Sequence, residues 1–211
     1  MNRVRVKICG ITRPADLRAA VEAGADAVGF VFAPRSKRFL DGAAARQLAL
    51  GVPAFVSRVG LFVDPEYEQV RAVLDRVPLS LLQFHGREEA EFCRRFGLPY
   101  IKAVSMESPR SLADAEAAHP QAAALLLDSH APGGVGGTGL RFDWDLIRGA
   151  SLPLILAGGL TVANVRAAVR QVRPWAVDVS SGVEDAPGIK NAAKLRAFIN
   201  EANGDYGSNS D

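Results

Sequence analysis

Eight short, mostly apolar and β-branched-rich runs recur along the chain, and each is followed by a stretch with helical periodicity. The runs are Val4–Cys9, Ala27–Phe32, Ser57–Val63, Leu79–His85, Tyr100–Ser105, Ala123–Asp128, Pro153–Ala157 and Trp175–Val179. The stretches that follow are Arg13–Ala23, Asp41–Leu50, Pro65–Arg76, Glu88–Phe96, Pro109–Ala118, Phe142–Arg148, Ala163–Val172 and Asn191–Ala202. Asp64-Pro65 reads as an N-cap followed by proline in the first turn, and Gly24, Gly51 and Gly97 stand where helices should stop. Strands that alternate with helices pair in parallel through right-handed crossovers. Eight such units in 211 residues are lean, but a (β/α)8 barrel tolerates a length down to about 200. The expected fold is therefore α/β: a single (β/α)8 TIM barrel with a closed, eight-stranded parallel sheet. A doubly wound open sheet is the competing architecture, but it usually has fewer strands.

Composition excludes several function classes. A 48% hydrophobic chain has enough apolar surface to offset chain entropy, so disorder is not its main state. A net charge of +2 argues for neither a nucleic-acid nor a membrane partner. No run approaches the roughly 18 apolar residues of a membrane span, and MNRVRVKICG lacks the apolar stretch of a signal peptide. Cys9 and Cys93 imply no disulfide framework, and a reducing cytoplasm is the expected location. With no linker or composition shift near the middle, residues 1–203 are expected to form one barrel domain, and the small polar tail 204–211 to fray.

Barrels of this kind carry their chemistry at the C-terminal ends of the strands. Alternation in the first run places Val4, Val6 and Ile8 against helices and turns Lys7 and Cys9 into the barrel. In the eighth run Val177 and Val179 face outward, and Asp178 and Ser180 inward. First and eighth strands are neighbours in a closed barrel, so Lys7 and Asp178 are expected to pair, since neither charge is tolerated there alone. A cysteine in an apolar strand is commonly an inert small hydrophobe, but Cys9 stands at a strand mouth, where a thiol can exchange protons with a substrate. Asp128 ends the run Leu125-Leu126-Leu127 and reads either as a capping or turn residue or as a proton donor. Its apolar approach raises a carboxyl pKa toward neutrality, as a general acid needs.

The paired glycines Gly158-Gly159 and the run Ser180-Ser181-Gly182 carry the strongest local signal. Glycine lets backbone N–H groups approach an anion, and the seventh and eighth loops are the usual phosphate site of this fold. The basic loop Pro34-Arg35-Ser36-Lys37-Arg38 is either a solvated charge run or, through Arg38, a binder of a substrate carboxylate. Gly133–Gly139, with five glycines in seven residues, is a plain linker or a lid beside Asp128. His85 and His119 form no metal site, because no ligand set has the spacing, and no dinucleotide fingerprint follows the first strand.

These residues resemble a known family. Lys7-Ile8-Cys9-Gly10-Ile11-Thr12, Gly24–Phe30 with Ser36-Lys37-Arg38, and Gln83-Phe84-His85-Gly86 are similar to motifs of the phosphoribosylanthranilate isomerases of the tryptophan branch. Leu127-Asp128-Ser129, Gly136–Gly139, Phe142-Asp143-Trp144, Ala157–Leu160 and Asp178–Glu184 complete a likeness running from about residue 4 to 200. The family usually has leucine where Phe84 precedes His85. The resemblance implies an Amadori rearrangement without cofactor or metal, on a small phosphosugar–anthranilate substrate, by a monomer or homodimer. It implies that Cys9 is the general base, Asp128 the general acid, Arg38 the anthranilate-carboxylate anchor, and the loops of Gly158, Gly159, Ser180, Ser181 and Gly182 the phosphate site. Lys7 is left between two roles, stabilising a Cys9 thiolate or serving only Asp178, and His85 between touching substrate and filling the barrel. Two rivals stand beside this reading: a phosphosugar isomerase of the histidine pathway, which has an aspartate where Cys9 stands, and a non-catalytic phosphate-ligand-binding barrel, which needs neither Cys9 nor Asp128.

Overall fold

A computed structural model describes residues 3–106, 108, 110–129, 143–147 and 149–204. Eight parallel strands close on themselves in chain order. They are β1 (Arg5–Cys9), β2 (Ala27–Val31), β3 (Ser57–Phe62), β4 (Leu81–Phe84), β5 (Tyr100–Ser105), β6 (Ala124–Asp128), β7 (Leu154–Leu156) and β8 (Ala176–Val179). The intervening helices are α1 (Pro14–Glu22), α2 (Gly42–Leu50), α3 (Tyr67–Leu74), α4 (Ala90–Arg94), α5 (Arg110–Ala118) and α6 (Val165–Val172), with α7 (Ala192–Asn203) after the last strand. Ring closure comes from β1 against β8, where Lys7 lies beside Asp178. Among the described residues no helix is long and apolar enough to cross a membrane.

The period-2 pattern sorts side chains into two cores. Val6, Ile8, Val28, Phe30, Leu82, Phe84, Leu125, Leu127, Leu156 and Val177 point outward and are sealed by the helices. Ile101, Ala103, Ala124, Leu126, Ile155, Ala157 and Ala176 fill the lumen. That filling belongs to β5 through β8. On β8, β1 and β4 the inward positions also carry buried polar groups, Asp178, Lys7 and Gln83. The barrel is thus a packed core whose polar side leads to the mouth.

Four features depart from the sequence-based expectation. The helix expected over Phe142–Arg148 is, within the described residues, a 3-10 turn at Trp144–Leu146, capped where Asp143 accepts from the amide of Asp145. The expected cap at Asp64 is also corrected. Asp64 has φ 44°, its carboxylate accepts from the amide of Arg87, and α3 begins at Tyr67 behind a capping box of Glu66 and Gln69. Likewise Glu88 does not open α4, because it is committed elsewhere: it accepts from the amides of Asp64 and Gly86 and pairs with the buried Lys102 at 2.8 Å. Finally, a small hairpin follows β8, formed by β9 (Glu184–Ala186) and β10 (Ile189–Lys190). The glycine-rich stretch 133–139 lies outside the described residues, as does the tail beyond Gly204.

Candidate active site

The strand ends bring the expected residues to one mouth. Cys9 closes β1, Asp128 closes β6, His85 follows β4, Gly158 and Gly159 follow β7, and Ser180–Gly182 follow β8. Cys9 and Asp128 stand on strands separated by β7 and β8, so a thiol and a carboxyl face the mouth from different sides.

The pair inferred from alternation is present. Lys7 Nζ donates to Asp178 Oδ1 at 3.0 Å, with both side chains buried. Burial alone would drive the lysine toward its neutral form, but Asp178, and after it Cys9, hold its pKa above the ordinary value. Cys9 experiences the reverse. Burial pushes its thiol up, Lys7 and Lys190 pull it down, and Asp178 opposes them, leaving a net rise. Lys7 is therefore the principal group favouring a thiolate here.

On the other side, His85 Nε2 lies 3.4 Å from Asp128 Oδ2, and Gln83 Nε2 lies 3.1 Å from His85 Nδ1. With the Gln83 amide nitrogen toward Nδ1, that atom accepts and the ring proton is assigned to Nε2, on the side of Asp128. Ser129 Oγ adds a donor to Asp128 Oδ1 at 3.4 Å.

Beside Asp128 the chain turns through two consecutive left-handed residues, Gly158 (φ 72°) and Gly159 (φ 65°). A side chain at Gly158 would meet the amide of Ser129 at 2.6 Å and Asp128 Oδ1 at 2.8 Å. After β8, a 3-10 turn opens at Ser181–Val183, and a side chain at Gly182 would strike the carbonyl of Leu160. The seventh and eighth loops are thus packed backbone to backbone.

Arg38 comes to the same mouth, but not as a solvated charge. Its Nε and Nη2 donate to Glu184 Oε1 and Oε2 at 2.8 and 2.6 Å. Lys190 Nζ, itself buried, donates to the same Glu184 Oε1 at 2.8 Å and to the carbonyl of Cys9 at 2.6 Å. Sequence reasoning placed Glu184 in a motif without a role and missed Lys190 altogether. A strand of two residues has no periodicity to read, and the sole local signal is the Pro187-Gly188 turn ahead of it.

The fold and the mouth define a class: a (β/α)8 barrel with a thiol, a carboxyl and two closely packed glycine loops at the C-terminal ends of its strands. Comparison with known proteins narrows the class. The family model described as N-(5'phosphoribosyl)anthranilate (PRA) isomerase matches residues 6–201. An N-(5'-phosphoribosyl)anthranilate isomerase of Pseudomonas fluorescens is 54% identical over 201 residues, covering 95% of this chain and 98% of that protein. A crystal structure of a phosphoribosyl anthranilate isomerase in complex with reduced 1-(o-carboxyphenylamino)-1-deoxyribulose 5-phosphate superposes with a TM-score of 0.81 at 42% identity, covering 95% of this chain and 99% of that one. Monomers generated from the dimeric isomerase of Thermotoga maritima superpose with a TM-score of 0.81 at 41% identity, over the same shares of the two chains. The chain belongs to the phosphoribosylanthranilate isomerase family.

Proposed function

We propose that the chain converts N-(5-phosphoribosyl)anthranilate into 1-(2-carboxyphenylamino)-1-deoxyribulose 5-phosphate, the isomerisation of tryptophan biosynthesis, with Cys9 and Asp128 as its base and acid. The observation that supports this assignment most strongly is the placing of Asp128 directly against Gly158, so that the acid and the phosphate loop share one wall of the mouth.

The substrate is a cyclic aminal. A proton from Asp128 to the ring oxygen opens the furanose and leaves a Schiff base whose C2 proton is acidic. The Cys9 thiolate removes that proton, and the resulting enamine tautomerises to the ketone. Once Asp128 has given up its proton, the Nε2–H of His85 stabilises the carboxylate formed. Lys7 serves both of the roles considered for it, because the same ammonium neutralises Asp178 and lowers the energy of the Cys9 thiolate. The amides of Gly158, Gly159, Ser181 and Gly182, with Ser180 alongside, receive the phosphate, and Arg38 receives the anthranilate carboxylate. Anchoring both ends holds the sugar between acid and base. The cytoplasm is the assigned compartment, consistent with two buried free thiols. The oligomer is a monomer or a homodimer, and light scattering of the purified chain separates the two.

The test is substrate choice. The purified chain should turn over phosphoribosylanthranilate and leave the corresponding histidine-pathway phosphoribosyl compound unchanged. Preference for the latter, or turnover of neither by folded protein, would overturn the proposal in favour of one rival or the other.

A further inference from the structure

The pairing of Arg38 with Glu184 raises a question of charge. A carboxylate lies beside the guanidinium that is to receive a substrate carboxylate, and like charges at that distance repel. Lys190 resolves it. Burial lowers the Lys190 pKa and Glu184 opposes that shift; as an ammonium Lys190 shares Glu184 Oε1 with Arg38, so the trio of two cations and one carboxylate carries a net charge of +1. Geometry agrees with charge. Both bonds to Glu184 use Nε and Nη2, which leaves the Nη1 edge of Arg38 out of that pairing. On the opposite side the stem of Arg38 runs against Gly10 (φ 75°), where a side chain would collide with Cδ and lie 3.2 Å from Ser180 Oγ. Arg38 is thus held by its Nε and Nη2 edge and by its stem.

We propose that Glu184 is the residue that positions Arg38 for the anthranilate carboxylate, and that Lys190 is the counter-ion that lets it do so, so that the β9–β10 hairpin sets selectivity for a carboxylated substrate. This rests on the reading of Arg38 as the carboxylate anchor. Lys190 also donates to the carbonyls of Cys9 and Ser180, at 2.6 and 3.1 Å. One hairpin therefore fixes the end of the catalytic strand, the eighth loop and the carboxylate anchor together. Glu184 and Lys190 are positioning residues, acting through Arg38.

The experiment measures binding of two ligands by calorimetry: the reduced carboxyphenylamino-deoxyribulose phosphate, and the same compound without its carboxylate. Wild type should prefer the first, and Arg38→Met should abolish the preference. Glu184→Asp keeps the net charge but withdraws the carboxylate by one methylene. It should lose about tenfold of the preference, the size of one charge-assisted hydrogen bond, while the affinity for the second ligand stays within about twofold. Glu184→Gln should lose at least as much. A preference that holds or rises in both Glu184 variants, while Arg38→Met loses it, overturns the positioning role and leaves the anchor standing. A preference retained in Arg38→Met overturns the anchor itself. Retained affinity for the ligand without the carboxylate shows that each variant is folded, and a Glu184→Asp protein that keeps the wild-type circular dichroism spectrum and melting transition but loses both ligands alike refutes the selective role.

Discussion

Removing the ammonium of Lys7 should destabilise the barrel by several kcal/mol, and the closing seam of the sheet shows why. Lys7 and Asp178 lie on adjacent strands, 3.0 Å apart, with side chains only 4% and 10% exposed. At an effective dielectric constant of about 20, two unit charges at that distance attract by roughly 5 kcal/mol, much of which is offset by removing both from water. The net worth of the pair is therefore small, but the consequence of breaking it is large. Lys7→Met strands a buried carboxylate and should lower unfolding free energy by about 3–5 kcal/mol. Asp178→Asn strands the ammonium and should cost a similar amount. The double variant leaves neither charge, so its loss should fall at least about 2 kcal/mol short of the sum of the two singles. Urea unfolding followed by circular dichroism measures all four corners of the cycle. In thermal terms the single loss corresponds to roughly 6–20 °C, at about 2–4 °C per kcal/mol for a chain of this size. Additive losses, or a Lys7→Met variant within about 1 kcal/mol of wild type, would refute the reasoning.

Other outcomes follow from single sites. Gly158→Ala puts a side chain into a left-handed position against Asp128 and Ser129, and should cost about 1–3 kcal/mol of stability. It should also weaken inhibition by inorganic phosphate, measured as a rise in Ki. His119 is held neutral, mainly by burial and then by Lys102, with its pKa lowered to about 4. The unfolded chain takes up that proton near pH 6.5, so stability should be full above pH 6.5 and fall on acidification toward pH 4, by on the order of 2 kcal/mol. A His119→Gln variant should show a flatter curve across that window in urea titrations at stepped pH, and an unchanged slope would contradict the assignment.

The part of this molecule that could be read from its sequence is the part governed by local period. Alternation in Val4–Cys9 and Trp175–Val179 sufficed to place Lys7 and Asp178 inside the barrel and, with closure, beside each other. Double glycines at the seventh loop likewise announced a close backbone approach. What escaped depends on partners distant in sequence. Glu88 reads as the start of a helix until Lys102 and the amides of Asp64 and Gly86 claim it. Arg38 reads as a free charge until the hairpin brings Glu184 to it. Lys190 belongs to a strand too short to show a pattern, and its partners, Cys9 and Ser180, are known only once the barrel has closed. Tertiary context decides such residues, and a window of ten residues does not contain it.

The central claim is that Asp128 and Cys9 are the acid and base of one isomerisation. Its most direct test is steady-state turnover of freshly prepared phosphoribosylanthranilate, followed by fluorescence, for wild type, Asp128→Asn and Cys9→Ala. Turnover by wild type, with kcat reduced by about 10²-fold or more and KM little changed in each variant, is the predicted result. Near-normal kcat in either variant would contradict that residue's role, and a folded wild type without turnover would contradict the account as a whole.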